Sequence, residues 1–195
     1  MVSSARQRIS PYEYFRAEQE SAQKHEYLDG QVWMMAGGTP DHSRIITNII
    51  ISLGGQLLGK ACQAFESNLR FAVLATGLRT YPDVSVICGA LELDPQDHTQ
   101  TTATNPRVLI EVLSPSTEAY DRGEKLDNYK TIASLEEVAL VANPERSIEI
   151  WRRTSGLWAH YEFREGSAPL ISIACELMLE DVYRNRLLPR GASGR

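Results

Sequence analysis

Two acidic residues of this chain stand inside runs that otherwise read as buried strands. In the stretch from Pro106 to Tyr129, PRVLIEVLSPSTEAYDRGEKLDNY, the residues Val108, Leu109, Ile110, Val112 and Leu113 form a short apolar run, and Glu111 interrupts it. Removing an ionised carboxylate from water costs several kcal/mol unless a cation, a hydrogen-bond donor or a proton compensates. A paired arginine would do this, and so would a bound metal ion. An earlier run, TYPDVSVICG, carries Asp83 just after Pro82, so two apolar strands each bear one carboxylate. Hard oxygen ligands of this kind suit Mg2+ or Mn2+. Beyond the second strand, Ser114-Pro115-Ser116-Thr117 breaks the sheet, and Asp121 opens a helix running through Lys125 and Tyr129. Residues 121, 125 and 129 are four apart and share one face of that helix.

The order of these pieces, PD, a long loop, E-V-L-S-P-S-T, then D-R-G-E-K-x-x-x-Y, resembles the Uma family of restriction endonucleases, a branch of the PD-(D/E)XK nuclease superfamily. The resemblance covers the chain from Tyr12 to Val182 and is most specific over residues 106 to 129. It implies an α/β (α+β) fold with a restriction-endonuclease-like core: a mixed central sheet flanked by helices, with an N-terminal hairpin. The activity it implies is Mg2+-dependent hydrolysis of phosphodiester bonds in DNA, with Mn2+ as an alternative ion. Asp83, Glu111 and Lys125 would be the catalytic residues, with Asp83, Glu111 and the backbone carbonyl of Val112 holding the metal.

The sequence departs from the superfamily pattern at one position. The usual lysine stands two residues after the strand glutamate, where this chain has Leu113. Members of the Uma family look as though that lysine has moved to the following helix, which makes Lys125 the replacement. Glu111 and Leu113 point to the same strand face, and a lysine's long stem can deliver its ammonium there from a neighbouring helix. Around this centre the resemblance places Glu26 of an E-Y-L-D-G motif, His42 of an H-x-x-I-I pattern, Asp121 and Tyr129. Each also has a structural reading: an exposed strand glutamate, a hydrogen-bonded histidine, a helix cap and a packing tyrosine.

The elements that must position these residues can be read in order. Ser10, Pro11 and Glu13 are a capping-box signature for a helix over residues 11 to 21. Asp29-Gly30 separates two alternating runs and predicts a hairpin that carries Glu26. From about residue 40 to 58, Ile45, Ile49, Leu53 and Leu57 recur every four residues and predict a helix whose stripe packs on the sheet. Gly54-Gly55 in that helix suggests close packing against another element. Residues 62 to 74 alternate as a strand, and the turn at Ala75-Thr76-Gly77 returns the chain antiparallel to it. Glu66 and Asn68 there are either neighbours of the site or surface residues. The polar stretch 90 to 105 is a long loop expected beside the substrate groove or at a subunit contact, with His98 exposed. EVALVA and SIEIWRR form a further hairpin around Asn143-Pro144-Glu145-Arg146. WAHYEF adds a strand, and ISIACELMLEDVYR a final strand or short helix.

With 195 residues and 43% hydrophobic content, the chain suits one domain, its ordered core over about 10 to 185 and a flexible tail from 189 to 195. No run is apolar and long enough to span a membrane, and the N-terminus lacks the apolar core of a signal peptide, so the expected location is the cytoplasm. Cys62, Cys88 and Cys175 show no paired spacing and read as buried thiols. A formal charge of −5 argues against nonspecific coating of nucleic acid. A local basic groove would have to come from Arg70, Arg79, Arg122, Lys125 and Lys130. The acidic balance and Leu113 also fit a rival reading, a catalytically inactive nuclease-fold protein that binds nucleic acid or another partner. A metal-free hydrolase using two carboxylates as acid and base, which would need no lysine there, is a third reading. The partner expected is DNA, and the assembly a homodimer.

Overall fold

The computed structural model describes residues 8–35, 37–143 and 145–185. The tail expected from residue 189 lies outside them, as does Pro144 of the predicted turn. Helix α1, Pro11–Glu20, starts at the predicted capping box: the Ser10 side chain accepts from the Glu13 N–H, and the Glu13 carboxylate accepts from the Ser10 N–H. Strands β1, His25–Leu28, and β2, Gln31–Met34, pair antiparallel around Asp29 and Gly30, both at positive φ as a two-residue hairpin turn requires.

Helix α2, Pro40–Leu57, lies on a six-stranded sheet. That sheet holds β3 (Cys62–Glu66), β6 (Val84–Cys88), β8 (Val108–Val112), β9 (Glu137–Val141), β10 (Ile148–Thr154) and β11 (Leu157–Phe163), in the spatial order β11-β10-β9-β8-β6-β3. Between β8 and β9 the chain passes through α3 (Glu118–Tyr120), a widened π turn (Asp121–Lys125) and α4 (Leu126–Lys130), and the two strands are parallel. Counting the strands of this sheet alone, α2 is followed by β3, β6 and β8, then by the helical segment and β9, in a mixed sheet with the N-terminal hairpin expected.

Period-two alternation along β8 sorts the core. Val108, Ile110 and Val112 face Ile45, Ile49, Leu53 and Leu57 of α2, while Leu109 and Leu113 join Leu126, Tyr129, Ile132 and Leu135 on the opposite face. Strands β12 (Ser167–Leu170) and β13 (Cys175–Met178) pair with each other, and with α5 (Leu179–Val182) they close the α2 side of the core.

Several expectations are corrected here. Residues 62 to 74 are two strands, not one. The chain turns at Ser67 to Leu69, so β3 stays in the six-stranded sheet while β4, Arg70–Val73, enters a second sheet ordered β2-β1-β5-β4-β7. There β4 pairs antiparallel with β5 (Leu78–Thr80) and parallel with β7 (Thr102–Ala103). Cys62 and Cys88 are not thiols; they face each other in the β3–β6 register and are joined by a disulfide, and only Cys175 is a free buried thiol among the described residues. Gly54 and Gly55 pack against nothing: both are exposed, with open space where a Cβ would lie.

The loop 90 to 105 is structured. It supplies β7 and two buried carboxylates, Asp94 and Asp97, which pair with Arg79 at 2.9 Å and Arg70 at 3.2 Å. Arg70 also donates to Tyr81, Thr101 and Thr102, and its guanidinium lies over the rings of Tyr14 and Phe15. His98 of this loop is exposed, as expected, and stacks near Tyr12.

Candidate functional site

Strand β8 sits between β6 and β9, and its alternation turns Glu111 to the α4 face, between Leu109 and Leu113. Extending the Val84↔Ile110 register by one residue brings Asp83 beside Glu111. The Asp83 carboxylate accepts from the Val112 N–H at 2.7 Å, which fixes it at the mouth of the β6–β8 pair.

Lys125 approaches from the other side. The π turn, with Gly123 at φ −105 and ψ −106, presents Lys125 to the sheet, and its Nζ lies 2.9 Å from Glu111 Oε1. The same nitrogen is 3.3 Å from Glu26 Oε1 and 3.6 Å from Asp121 Oδ1. Tyr129, one turn further, donates its hydroxyl to Glu111 Oε1 at 2.6 Å. Glu111 and Lys125 are each 3% exposed. Residues 121, 125 and 129 therefore do share a face, and it is the face turned to Glu111.

Glu26 comes from β1 on the second sheet. It is buried, not an exposed strand glutamate, and accepts from the Thr80 hydroxyl and from Trp33 Nε1. His42 lies in the first turn of α2, where Thr39 caps the His42 N–H and the ring Nε2 reaches Asp83 Oδ2 at 3.2 Å. A side chain at Gly38 would collide with this ring, its Cβ falling 2.6 Å from His42 Nδ1.

The electrostatics follow from crowding of like charges. Burial works against the Lys125 ammonium, but Glu111, Tyr129, Glu26 and Asp121 outweigh it and hold Lys125 well above its ordinary value. Burial pushes the Glu111 carboxyl up; Lys125 pulls it back, while the charges of Asp83 and Asp121 push it further up. Lys125 and Tyr129 both approach one Glu111 oxygen, an arrangement that favours the ionised pair. Asp121 is raised by burial against the pull of Lys125 and Thr117, with Asp83 and Glu26 adding to the rise. For His42, burial disfavours the imidazolium, but Asp83, a hydrogen bond to Val112 and the charge of Asp121 raise it above its ordinary value.

Glu26, Asp83, Glu111 and Asp121 line one pocket with Lys125 and His42, so four carboxylates face one ammonium and one imidazole. That excess of negative charge in a recess suits an added cation. Among the described residues no three His, Cys, Asp or Glu side chains are grouped so as to ligate an ion alone. A metal here would draw on two carboxylates, a backbone carbonyl and water.

The structure brings together Asp83, Glu111, Val112, Lys125, Glu26, His42, Asp121 and Tyr129. It does not assemble the expected basic groove. Arg70 and Arg79 are buried in the ion pairs of the second sheet. Arg122 pairs with Glu118 and Glu149, and Lys130 lies over the Trp151 ring, near Asp127. Glu66 and Asn68 are exposed. Trp33, Thr80 and Tyr120 line or support the pocket and were not picked out from sequence. For Trp33 a signal existed, because a two-residue turn at Asp29-Gly30 fixes the pairing Glu26↔Trp33.

A mixed sheet with a helical segment between its parallel strands is an α+β fold of the restriction-endonuclease-like kind. Residues 11–180 match Uma2, described as "Putative restriction endonuclease", and the chain belongs to that family. It is 35% identical over 180 residues to the uncharacterized protein slr1290 of Synechocystis, covering 91% of this chain and 92% of that one. A second Synechocystis protein, the uncharacterized sll1609, is 30% identical over 141 residues, covering 72% and 78%. The fold is similar to the crystal structure of a putative nuclease belonging to DUF820 from Anabaena variabilis, with a TM-score of 0.68 at 18% identity, over 87% of this chain and 96% of that one. No helix among the described residues is long and apolar enough to cross a membrane.

Proposed function

We propose that this chain is a Mg2+-dependent endonuclease that hydrolyses phosphodiester bonds in DNA. The observation that carries the reading is the 2.9 Å contact of Lys125 Nζ with Glu111, which delivers from a helix the ammonium that the superfamily places on the strand. Asp83, Glu111 and the carbonyl of Val112 would hold Mg2+ or Mn2+, ions that take oxygen ligands and keep several waters. Such an ion, when bound, supplies Lewis-acid polarisation of the phosphate and a water of lowered pKa.

The chain's own residues do the rest. Water adds to phosphorus, one P–O ester bond breaks, and the proton lost by the water ends on the departing sugar oxygen. Lys125 orients the water or offsets negative charge as it grows on the phosphate, a role suited to a preorganised donor out of bulk solvent. Asp121 and Glu26 hold the ammonium in place, Tyr129 orients Glu111 through its hydroxyl, and His42 braces Asp83.

Purified protein is expected to nick or cut plasmid DNA with Mg2+ or Mn2+ and to lose this with EDTA. Cutting without metal, or an Asp83→Ala variant cutting at the wild-type rate, would overturn the reading. We propose a homodimer as the working assembly, to be checked by sedimentation of the intact chain.

A further inference from the structure

We infer that Trp33 is a positioning residue of this site: its indole N–H fixes the Glu26 carboxylate, and Glu26 aims the Lys125 ammonium at Glu111. The inference adds a residue to the nuclease site proposed above and rests on that reading.

A lysine delivered from a helical segment needs something outside that segment to fix its charged end. The Lys125 ammonium has three hydrogens and meets three carboxylates, Glu111 at 2.9 Å, Glu26 at 3.3 Å and Asp121 at 3.6 Å. Asp121 lies one turn back on the same segment and moves with it. Glu111 is the group toward which the ammonium must be aimed. Of the three, Glu26 alone comes from the second sheet, so it supplies the independent reference. On a flexible four-carbon stem, that reference decides where the charge sits.

Glu26 is itself gripped from both sides of β1. Its cross-strand partner on β2 is Trp33, whose Nε1–H donates to Oε2 at 3.0 Å. Extending the Tyr27↔Arg79 register by one residue sets Thr80 of β5 on the other flank, and the Thr80 hydroxyl donates to Oε1, the oxygen that also faces Lys125. Trp33 therefore holds the far oxygen, and the carboxylate cannot rotate without breaking that bond. An indole N–H donates and never accepts, so the bond has one polarity. A hydrogen bond to a carboxylate is also roughly twice as strong as one between neutral groups. The Trp33 ring stands edge to face with Tyr120, centroids 6.3 Å apart, and Tyr120 directly precedes the π turn that carries Lys125. One side chain thus touches both the carboxylate that orients the ammonium and the segment that delivers it.

The competing role for Trp33 is packing, since it also lies against the core on the α4 face. Two variants separate the roles. Trp33→Phe keeps an aromatic ring and removes the donor; Trp33→Gln removes the ring and keeps an N–H the same number of bonds from Cα. With plasmid and Mg2+, Trp33→Phe should lower kcat roughly tenfold, the loss expected of one hydrogen bond to a charged group. KM and the half-saturating Mg2+ concentration should stay within about twofold, because the N–H is directed at Glu26 and not at Asp83, Glu111 or Val112. Trp33→Gln should cut faster than Trp33→Phe. In protein carrying isotope-labelled lysine, the NMR signal of the Lys125 Cε, assigned by its absence from Lys125→Ala, should shift in Trp33→Phe and return toward wild type in Trp33→Gln. Wild-type kcat in Trp33→Phe, slower cutting by Trp33→Gln than by Trp33→Phe, or an unmoved lysine signal overturns the inference and leaves the nuclease reading standing. Should Trp33→Phe fail to fold, Glu26→Gln decides: the Trp33 indole N–H and Lys125 signals must both move, and either one staying in place overturns the inference. If the wild-type protein cuts nothing under any metal, the nuclease reading falls, and the lysine signal still decides the positioning: shifted in Trp33→Phe and restored in Trp33→Gln it stands, unmoved it falls.

Discussion

Two buried ionic clusters sit on neighbouring sheets of this molecule, and they are built on opposite principles. In the second sheet, Arg70 meets Asp97 and Arg79 meets Asp94, one cation for one anion, and hydroxyls and aromatic rings fill the remaining contacts. In the pocket, Glu26, Asp83, Glu111 and Asp121 face Lys125 and His42, and the sum is acidic. The first cluster is sealed: Arg70 and Arg79 are 3% and 4% exposed and line no part of the pocket. Burial of charge is therefore not what marks a site in this protein. Imbalance of charge beside an opening is.

The largest effect that tests this contrast is on stability. Arg79→Ala strands Asp94 as a buried, unpaired carboxylate and is expected to cost about 3–5 kcal/mol in urea unfolding. Mg2+ should raise wild type and variant alike and leave this difference between them unchanged; if it narrowed the difference, the clusters would not differ as argued. In the pocket, Lys125→Ala should lower the cleavage rate by a factor of about a hundred to a thousand, the usual loss for one preorganised donor at a developing anion. It should leave metal binding nearly intact, and its lowered melting temperature in EDTA should recover with Mg2+, because an ion that binds only the native state stabilises it. Wild-type cleavage by Lys125→Ala would remove Lys125 from the mechanism.

A smaller effect sharpens the geometry. Leu113→Lys in the Lys125→Ala background should regain part of the lost rate, since residue 113 shares the Glu111 face, while losing about 1–3 kcal/mol of stability through overpacking. The smallest effect lies in neither cluster. Gly54→Ala or Gly55→Ala, on the open side of α2, should stabilise by roughly 0.5–1 kcal/mol and leave cleavage unchanged. A destabilised variant would mean that something does pack there.

What the sequence disclosed was mostly local. The capping box, the Asp29-Gly30 hairpin, the α2 stripe and the alternation of β8 each depend on a few neighbouring residues, and each formed as read. Glu111 was legible because a charged side chain breaks an apolar period, and a break is visible without knowing what fills it; Asp83 stood at the head of a second apolar run, and Lys125 was marked by the family resemblance, on the helix face it shares with residues 121 and 129. The failures were questions of long-range pairing. The alternation read over residues 62 to 74 spans both β3 and β4, yet they belong to different sheets, and no local period records which neighbour a strand will choose. The Cys62–Cys88 bond is invisible for the same reason, being a matter of β3–β6 register. Arg70 and Arg79 looked like groove residues because their partners, Asp94 and Asp97, sit in a loop that carried no period at all.

The placement of Lys125 on a helical segment has one more consequence. A lysine two residues along the strand from its glutamate is held at a separation set by bond lengths and the pleat, a covalent ruler that survives any loosening of the core. Here the separation is set by how Leu126, Tyr129 and Ile132 seat against Leu109, Leu113 and Leu135. The spacing of ammonium and carboxylate is thus a measure of tertiary order. In a gentle denaturant titration it would widen while both strands still held their ladders, and the proposed cleavage would be lost before the circular dichroism of the sheet began to change.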